Sequence, residues 1–166
     1  MSSIKLVQII DQNEWKCVTS AFAFMEMIDT EQDYAYAKAR YQAKDDYVQI
    51  CRGRHSRTMA LSDLQSTEFT FHDFYQQYPF ICPVSLDATG WDLALHIASS
   101  TNIFAPDAIH LATAWMCSCN LLISNDSSFV SESKRILDRE NVSCFAVCSA
   151  DTAEKTMHDM GFEVTM

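Results

Sequence analysis

The chain has 166 residues, of which 48% are hydrophobic and 20% charged, a composition that is typical of a folded globular protein and excludes a disordered one. Its net charge of −10 argues against nucleic-acid binding through overall charge, because contacts to phosphate need Lys and Arg. No apolar run reaches the roughly 18–20 residues that cross a bilayer, and the N-terminal residues lack the pattern of a secretory signal.

Periodicity and helix-breaking residues divide the chain into alternating helices and strands. Helices are predicted where apolar residues recur every three or four positions, and strands where short apolar and β-branched runs stand between turn residues. In the first half of the chain the pattern predicts a helix at 4–10, a strand at 15–20, helices at 19–29, 31–52 and 60–78, and a strand at 80–87. In the second half it predicts helices at 88–100 and 106–118, a strand at 120–126, a helix at 127–140, a strand at 142–147 and a helix at 149–160. Thr19 or Ser20 caps the helix at 19–29, Pro79 ends the helix at 60–78, and Pro106 begins the helix at 106–118.

This order of elements predicts an α/β fold. The strands are separated by helices of crossover length and lack strict polar alternation, which indicates a mainly parallel sheet covered by helices on both faces. We therefore expect a single domain over residues 1–166 with a three-layer α/β/α architecture. The Tyr stripe of the helix at 31–52, which includes Tyr34 and Tyr41, is predicted to pack in the core.

The seven cysteines bear on metal binding and on compartment. Cys117 and Cys119 form a C-x-C pair, but without a second pair or a cluster of His this spacing is a weak signal for zinc. Most of the others (Cys17, Cys82, Cys144 and Cys148) lie inside apolar runs. They predict buried free thiols and a cytoplasmic protein.

One short stretch departs from the acidic composition. The sequence "CRGRHSR" places Arg52, Arg54 and Arg57 within seven residues at 51–57. A basic patch of this kind suits contacts with the phosphates of a nucleic acid. The alternative is a solvated basic turn that follows a helix.

Three acids lie where a parallel α/β sheet places its ligands, beyond the carboxyl ends of the strands. Asp126 ends the predicted strand at 120–126, Asp107 lies in the first turn of the preceding helix, and Glu26 lies about two turns into the helix that leaves the strand at 15–20. Three ionised carboxylates repel one another unless a cation compensates them. Oxygen ligands suit Mg²⁺ or Mn²⁺, which activates water and stabilises charge on a phosphoryl group.

Each acid also has a purely local interpretation. Asp107 is a favourable residue for the first turn of a helix, Asp126 suits a helix cap, and Glu26 suits a solvent-exposed helix face. His96 and His110 lie amid apolar residues on helical patterns, and we interpret them as packed, hydrogen-bonded side chains and not as general bases. A nucleotide-binding or phosphatase site is disfavoured because the only three glycines form no phosphate loop.

Two stretches resemble PIN-domain ribonucleases. "PDAIHLATAWMCSCNLLISNDSSF", residues 106–129, is similar to the family's signature of an Asp that opens a D-A-x-H-L-A-T-A helix, followed by a strand that ends in (Thr/Ser)-Asn-Asp-x-x-F. "CVTSAFAFMEM", residues 17–27, resembles the family's strand, Thr/Ser turn and Glu-bearing helix. Residues 31–80 match only as helices.

The resemblance implies a metal-dependent endoribonuclease with RNA as substrate, and many members are toxins of bacterial toxin–antitoxin pairs. It implies that Glu26, Asp107 and Asp126 bind Mg²⁺ or Mn²⁺ and serve catalysis, and that Ser124 and Asn125 form the polar pair before the last acid. Ser20 matches the turn position before the Glu-bearing helix, a structural role. Arg52, Arg54 and Arg57 are the candidates for contacts with RNA.

The chain departs from the family at its start. The family begins with a central strand that ends in an Asp metal ligand, whereas this sequence starts at what resembles the following helix, and neither Asp11 nor Asp87 is a good replacement. Three interpretations remain open: a truncated nuclease, a degenerate relative without activity, or a gap that another segment fills. The alternative function is thus a catalytically inactive, PIN-like protein-binding module, with an antitoxin-like protein or a second copy of the chain as partner.

Overall fold

The structure is a computed structural model, of which residues 3–163 are described. Within these residues the helices and strands follow one another in the predicted order. They are α1 (Ser3–Gln12), β1 (Cys17–Ser20), α2 (Ala21–Gln42), α3 (Tyr47–Gly53), a 3-10 turn (Arg54–Ser56), α4 (Leu61–Gln77), β2 (Ile81–Val84), α5 (Ala88–Ser100), α6 (Ala105–Met116), β3 (Leu121–Ile123), α7 (Ser127–Arg139), β4 (Ala146–Cys148) and α8 (Ala150–Asp159).

The boundaries differ from the prediction in several places, and the strands predicted at 80–87 and 120–126 are shortened to 81–84 and 121–123. The two helices predicted at 19–29 and 31–52 are one helix, α2, which is followed by a turn and by the separate helix α3. Lys44 in that turn has a φ of 65°, a left-handed conformation that a helix does not tolerate. Asp46 then caps α3 by accepting a hydrogen bond from the backbone N–H of Gln49 at 2.9 Å. The last strand lies at 146–148 and not at 142–147, after a turn in which Asn141 has a φ of 54°.

The strands are parallel, which confirms a mixed α/β fold, but they do not form one continuous sheet. Within residues 3–163, β1 pairs with β2 and β3 pairs with β4, giving two separate two-stranded sheets. In the first sheet Cys17 is aligned with Ile81, and in the second Leu121 is aligned with Ala146. A single sheet would need a further pairing between these two pairs of strands.

The contacts of the chain divide it into two compact units. The first unit comprises residues 1–22 and 80–166. In its larger core, Ile97 of α5 and Leu111 of α6 are 1% and 0% exposed and pack with Ile136 of α7. Leu122 contacts this core, whereas its neighbours Leu121 and Ile123 contact a second cluster that α1 and α8 provide. Because strand side chains alternate between faces, helices cover both faces of the β3–β4 sheet.

The second unit comprises residues 23–79. Its centre is an aromatic cluster in which the ring of Phe24 lies 5.2 Å from that of Phe71 and 5.4 Å from that of Tyr75. Tyr34 and Tyr41, by contrast, are 66% and 76% exposed, so the prediction that they pack in the core was wrong. Apolar spacing along one helix does not reveal whether a second layer covers that face.

All seven cysteines lie in the described residues and are free thiols. Cys148 is buried, but Cys82 and Cys144 are exposed, which corrects the expectation that the apolar runs bury them. Strands of three or four residues are too short to bury every side chain of such a run. Among residues 3–163, no helix combines the length and the apolar character that crossing a membrane requires.

Candidate functional site

A partly buried hydrogen bond joins α6 to the carboxyl end of β1. Ser20, the last residue of β1, is 4% exposed, and its Oγ lies 2.7 Å from Nδ1 of His110. The ring of Phe22 lies 6.2 Å from the imidazole. The prediction of a packed, hydrogen-bonded side chain is therefore confirmed for His110, with Ser20 as its partner, but it was wrong for His96, which is exposed. Sequence reasoning placed Ser20 at a turn but gave no signal for the pair, because 90 positions separate the two residues.

Asp107 lies on the same face of α6 as His110, because residues three positions apart in a helix are neighbours. Helix α6 begins after Phe104, whose backbone is extended, and has Pro106 in its first turn. The Phe104 cap makes no side-chain hydrogen bond. The half-buried Asp107 stands in the first turn of α6, where the positive end of a helix dipole suits an acidic residue.

The direction of α6 determines where the ends of the strands lie. His110, in the first half of α6, contacts the carboxyl end of β1. Burial, then Cys117, and then Cys17 at the amino end of β1 raise the pKa of Cys119, which lies just after α6. Helix α6 thus runs antiparallel to β1. The chain then reverses at Ser118, with φ of 52°, so β3 runs parallel to β1 and their carboxyl ends share one side.

Asp126 follows β3 on that side and caps α7. Its Oδ1 accepts hydrogen bonds from the backbone N–H of Ser128 at 2.8 Å, from the Ser128 hydroxyl at 2.6 Å and from the backbone N–H of Phe129 at 3.0 Å. The local cap that the sequence offered as an alternative is therefore present. Since the three bonds fall on Oδ1, the Oδ2 atom of this exposed carboxylate takes part in none of them.

The polar pair before Asp126 shapes the turn that carries it. The backbone N–H of Ser124 donates to the carbonyl of Cys148 at 3.1 Å, which extends the pairing of β3 with β4. The Ser124 Oγ accepts a hydrogen bond from the backbone N–H of Asp126 at 3.1 Å, and Asn125 is exposed. Ser124 thereby holds the backbone at Asp126 in the conformation that starts α7.

Glu26 belongs to the second unit, in the second turn of α2, and is half-buried. Asp107 and Asp126 belong to the first unit. Among residues 3–163, no group of three or more His, Cys, Asp or Glu side chains is arranged to hold a metal ion. Asp107 and Asp126 thus share a unit that does not include Glu26, and metal binding by the three together stays a prediction.

Arginines of the basic stretch at 51–57 form hydrogen bonds and ion pairs with acidic residues of α2 within the second unit. Arg57 donates to Oδ1 of Asp33 at 2.8 Å, to Gln32 at 3.1 Å and to Asp29. Arg54 forms an ion pair with the other oxygen of Asp33, and Arg52 is exposed. Asp29 and Asp33 are four positions apart, a helical spacing that indicates a common face. RNA contacts by the three arginines stay a prediction, with Arg52 the most available for them.

Replacement of Arg57 by Ala should lower the melting temperature by a few degrees, whereas replacement of Arg52 by Ala should leave it nearly unchanged. Arg57 bridges several side chains of α2, and its loss leaves the carboxylate of Asp33, whose side chain is 14% exposed, with fewer partners. Circular dichroism during heating measures both variants. Equal melting temperatures for the two would show that the bridge contributes nothing to stability.

The Asp126 cap should make part of the stability depend on pH. The hydrogen bond from the Ser128 hydroxyl, and then those from the Phe129 and Ser128 backbone, lower the pKa of Asp126 below its ordinary value. A carboxyl group whose pKa is lower in the folded than in the unfolded protein stabilises the folded state fully at a pH above its unfolded-state pKa, which is about 3.9. This stabilisation is lost as the pH falls through the folded-state pKa. The difference in melting temperature between wild type and Asp126→Asn should therefore shrink between pH 6 and the most acidic pH at which both proteins still fold. A constant difference would contradict the assignment.

Comparison of the chain with protein-family models, with curated proteins and with solved structures gives no match. The similarity to PIN-domain ribonucleases consequently depends on the motifs at 17–27 and 106–129.

Proposed function

We propose that the chain is a metal-dependent endoribonuclease of PIN type that hydrolyses RNA phosphodiesters, with its helices and parallel strands arranged as an α/β/α fold. The observation that carries the proposal is the common placement of Asp107 and Asp126. Asp107 lies three positions before His110, which bonds the last residue of β1, and Asp126 follows β3; parallel α/β sheets bind ligands beyond the carboxyl ends of their strands. The Ser20–His110 hydrogen bond supports this placement by fixing α6 to β1.

The chemistry of the two carboxylates suits a hard divalent cation. The lowered pKa of Asp126 keeps this acid ionised at neutral pH, and its Oδ2 is outside the helix cap. Asp107 and Asp126 would hold Mg²⁺ or Mn²⁺; a role for Glu26 is implied by the family resemblance alone. Such an ion supplies an activated water and stabilises negative charge on phosphate oxygens. Asn125, exposed beside Asp126, would be a further polar group of this site.

The test is cleavage of a labelled single-stranded RNA by the purified chain. We expect internal cleavage with millimolar Mn²⁺ or Mg²⁺ and none with EDTA or with Ca²⁺. The same metals should raise the melting temperature, because an ion that binds only the folded state stabilises it. A folded protein that shows neither cleavage nor a metal-dependent shift would overturn the nuclease proposal.

A second candidate function is protein binding without catalysis. The observation that favours it is the apolar surface of the second unit, which exposes Tyr34, Tyr41, Tyr47, Val48 and Phe69 by 53–80%. A contiguous exposed apolar patch often marks a protein interface, and these side chains are the candidates to form one. The partner is an antitoxin-like protein or a second copy of the chain. A sedimentation experiment separates these, because self-association doubles the mass of the 18.9 kDa chain and Tyr41→Ser together with Phe69→Ser should reverse it.

A further inference from the structure

The backbone of β1 presents hydrogen-bonding groups on the edge opposite β2. The N–H of Cys17 donates to the carbonyl of Phe80 at 3.4 Å, so the backbone groups of Cys17 face β2. Successive residues of a strand direct their backbone groups to opposite edges. The N–H and C=O of Val18 therefore face away from β2, and β2 is the only strand that pairs with β1 in the described part of the chain.

The same reasoning applies to β3. The carbonyl of Asn120 accepts from Ala146 at 3.0 Å, and the N–H of Ser124 donates to Cys148 at 3.1 Å. Positions 120, 122 and 124 thus face β4, and the backbone groups of Leu121 and Ile123 face the opposite edge. Within residues 3–163, β3 pairs with β4 alone.

These two edges belong to one unit and share one helix. Helix α6 packs against both β1 and β3, and β1 and β3 run in the same direction, as the positions of His110 and Cys119 require. An extended chain that lies between them has one parallel partner on each side. It would pair with both rows of backbone groups at once and join the two sheets into one.

The outer edge of β2 differs from these inner edges. Pro83 is aligned with Thr19, and by the same alternation it lies on the side of β2 away from β1. Pro has no N–H to donate, and sequences use it to end a sheet at an edge strand. The inner edges carry Val18, Leu121 and Ile123, which are apolar, half-buried and typical of the interior of a sheet.

We propose that an extended, β-branched segment of a second polypeptide inserts between β1 and β3, parallel to both, and completes a five-stranded sheet. The residues on either side of the inserted segment are expected to be Lys or Arg. The chain carries a net charge of −10, which attracts a positively charged partner. Backbone pairing provides the affinity and the apolar side chains provide the fit, as in other cases of strand addition. The inference does not depend on nuclease activity.

The test is amide hydrogen exchange of the full chain with the peptide Lys-Val-Ile-Val-Ile-Val-Lys as probe. Without peptide, the amides of Val18, Leu121 and Ile123 should exchange about tenfold faster or more than those of Leu122 and Ser124, which are paired with β4. The peptide should slow the first three by about tenfold or more and leave Ile81, on the outer edge of β2, unchanged. The matched control peptide has Pro in place of its central Val and should have no effect.

Four results would overturn the proposal. The first is slow amide exchange of Val18, Leu121 and Ile123 in the dilute free protein, and the second is an unchanged exchange rate when the probe peptide is added. The third is an equal slowing of exchange by the Pro peptide. The fourth is protection from exchange that grows with protein concentration together with a doubled mass. The last result would assign the gap to a second copy of the chain. RNA cleavage is measured separately, so failure here and failure of the nuclease proposal are distinguishable.

Discussion

Asp126→Asn is expected to lower metal-dependent RNA cleavage roughly 100-fold or more while the protein remains folded. Asn accepts the same backbone hydrogen bonds as Asp at a helix N-cap and is nearly as favourable there, so α7 keeps its start. The change removes the negative charge that attracts the cation. The cap and the metal site are thereby separated, since one depends on an acceptor oxygen and the other on an ionised carboxylate.

The chain offers a matched control for this variant. Asp46 is also an N-cap, with an oxygen that accepts from the backbone N–H of Gln49 at 2.9 Å, but it lies in the second unit at the start of α3. Asp46→Asn makes the same chemical change in the same structural role and should leave cleavage unaffected. Cleavage and a Mn²⁺-dependent melting shift are measured for both. Full activity of Asp126→Asn would remove Asp126 from the mechanism.

The element order could be predicted from the sequence because it depends on local signals. Pro79 and Pro106 mark the end and the beginning of helices, and β-branched runs mark strands; all of these act within a few residues. The turn between α2 and α3 was missed because Lys44 is not a residue that commonly adopts a positive φ, and the capping box at Asp46 lies inside an otherwise continuous helical pattern. Boundaries of this kind depend on which residues find tertiary partners.

The candidate site likewise has features that local sequence signals predicted and features that they did not. Helix signals placed Asp107 correctly in the first turn of α6. Asp126, predicted to end a strand at 120–126, instead lies three residues after β3 as the cap of α7. The Ser20–His110 bond and the Arg57–Asp33 bond join residues 90 and 24 positions apart, and a single sequence carries no signal for such distances. The division of the strands into two sheets could not be predicted either, because the sequence indicates which residues form strands but not which strands become neighbours.

Leu111→Ala should be the most destabilising single change considered, with a loss of about 2–5 kcal/mol in the free energy of unfolding. Leu111 is 0% exposed and lies in the core that α5, α6 and α7 share. Removing three carbon atoms from such a position forfeits burial and leaves a cavity that the neighbouring helices fill only in part. Because α6 also carries Asp107 and His110, loosening it should weaken metal binding as well as stability.

Leu95→Ala is the matched control, since Leu95 is 64% exposed on α5 and the same atoms are removed. Its effect should remain within about 0.5 kcal/mol, the range of surface substitutions. Urea unfolding measures both, and the slope of the transition shows whether the unfolded surface has changed. If Leu95→Ala cost as much as Leu111→Ala, the exposed face of α5 would have to be covered in solution. A similar small cost for both would mean that α6 is not the centre of the core.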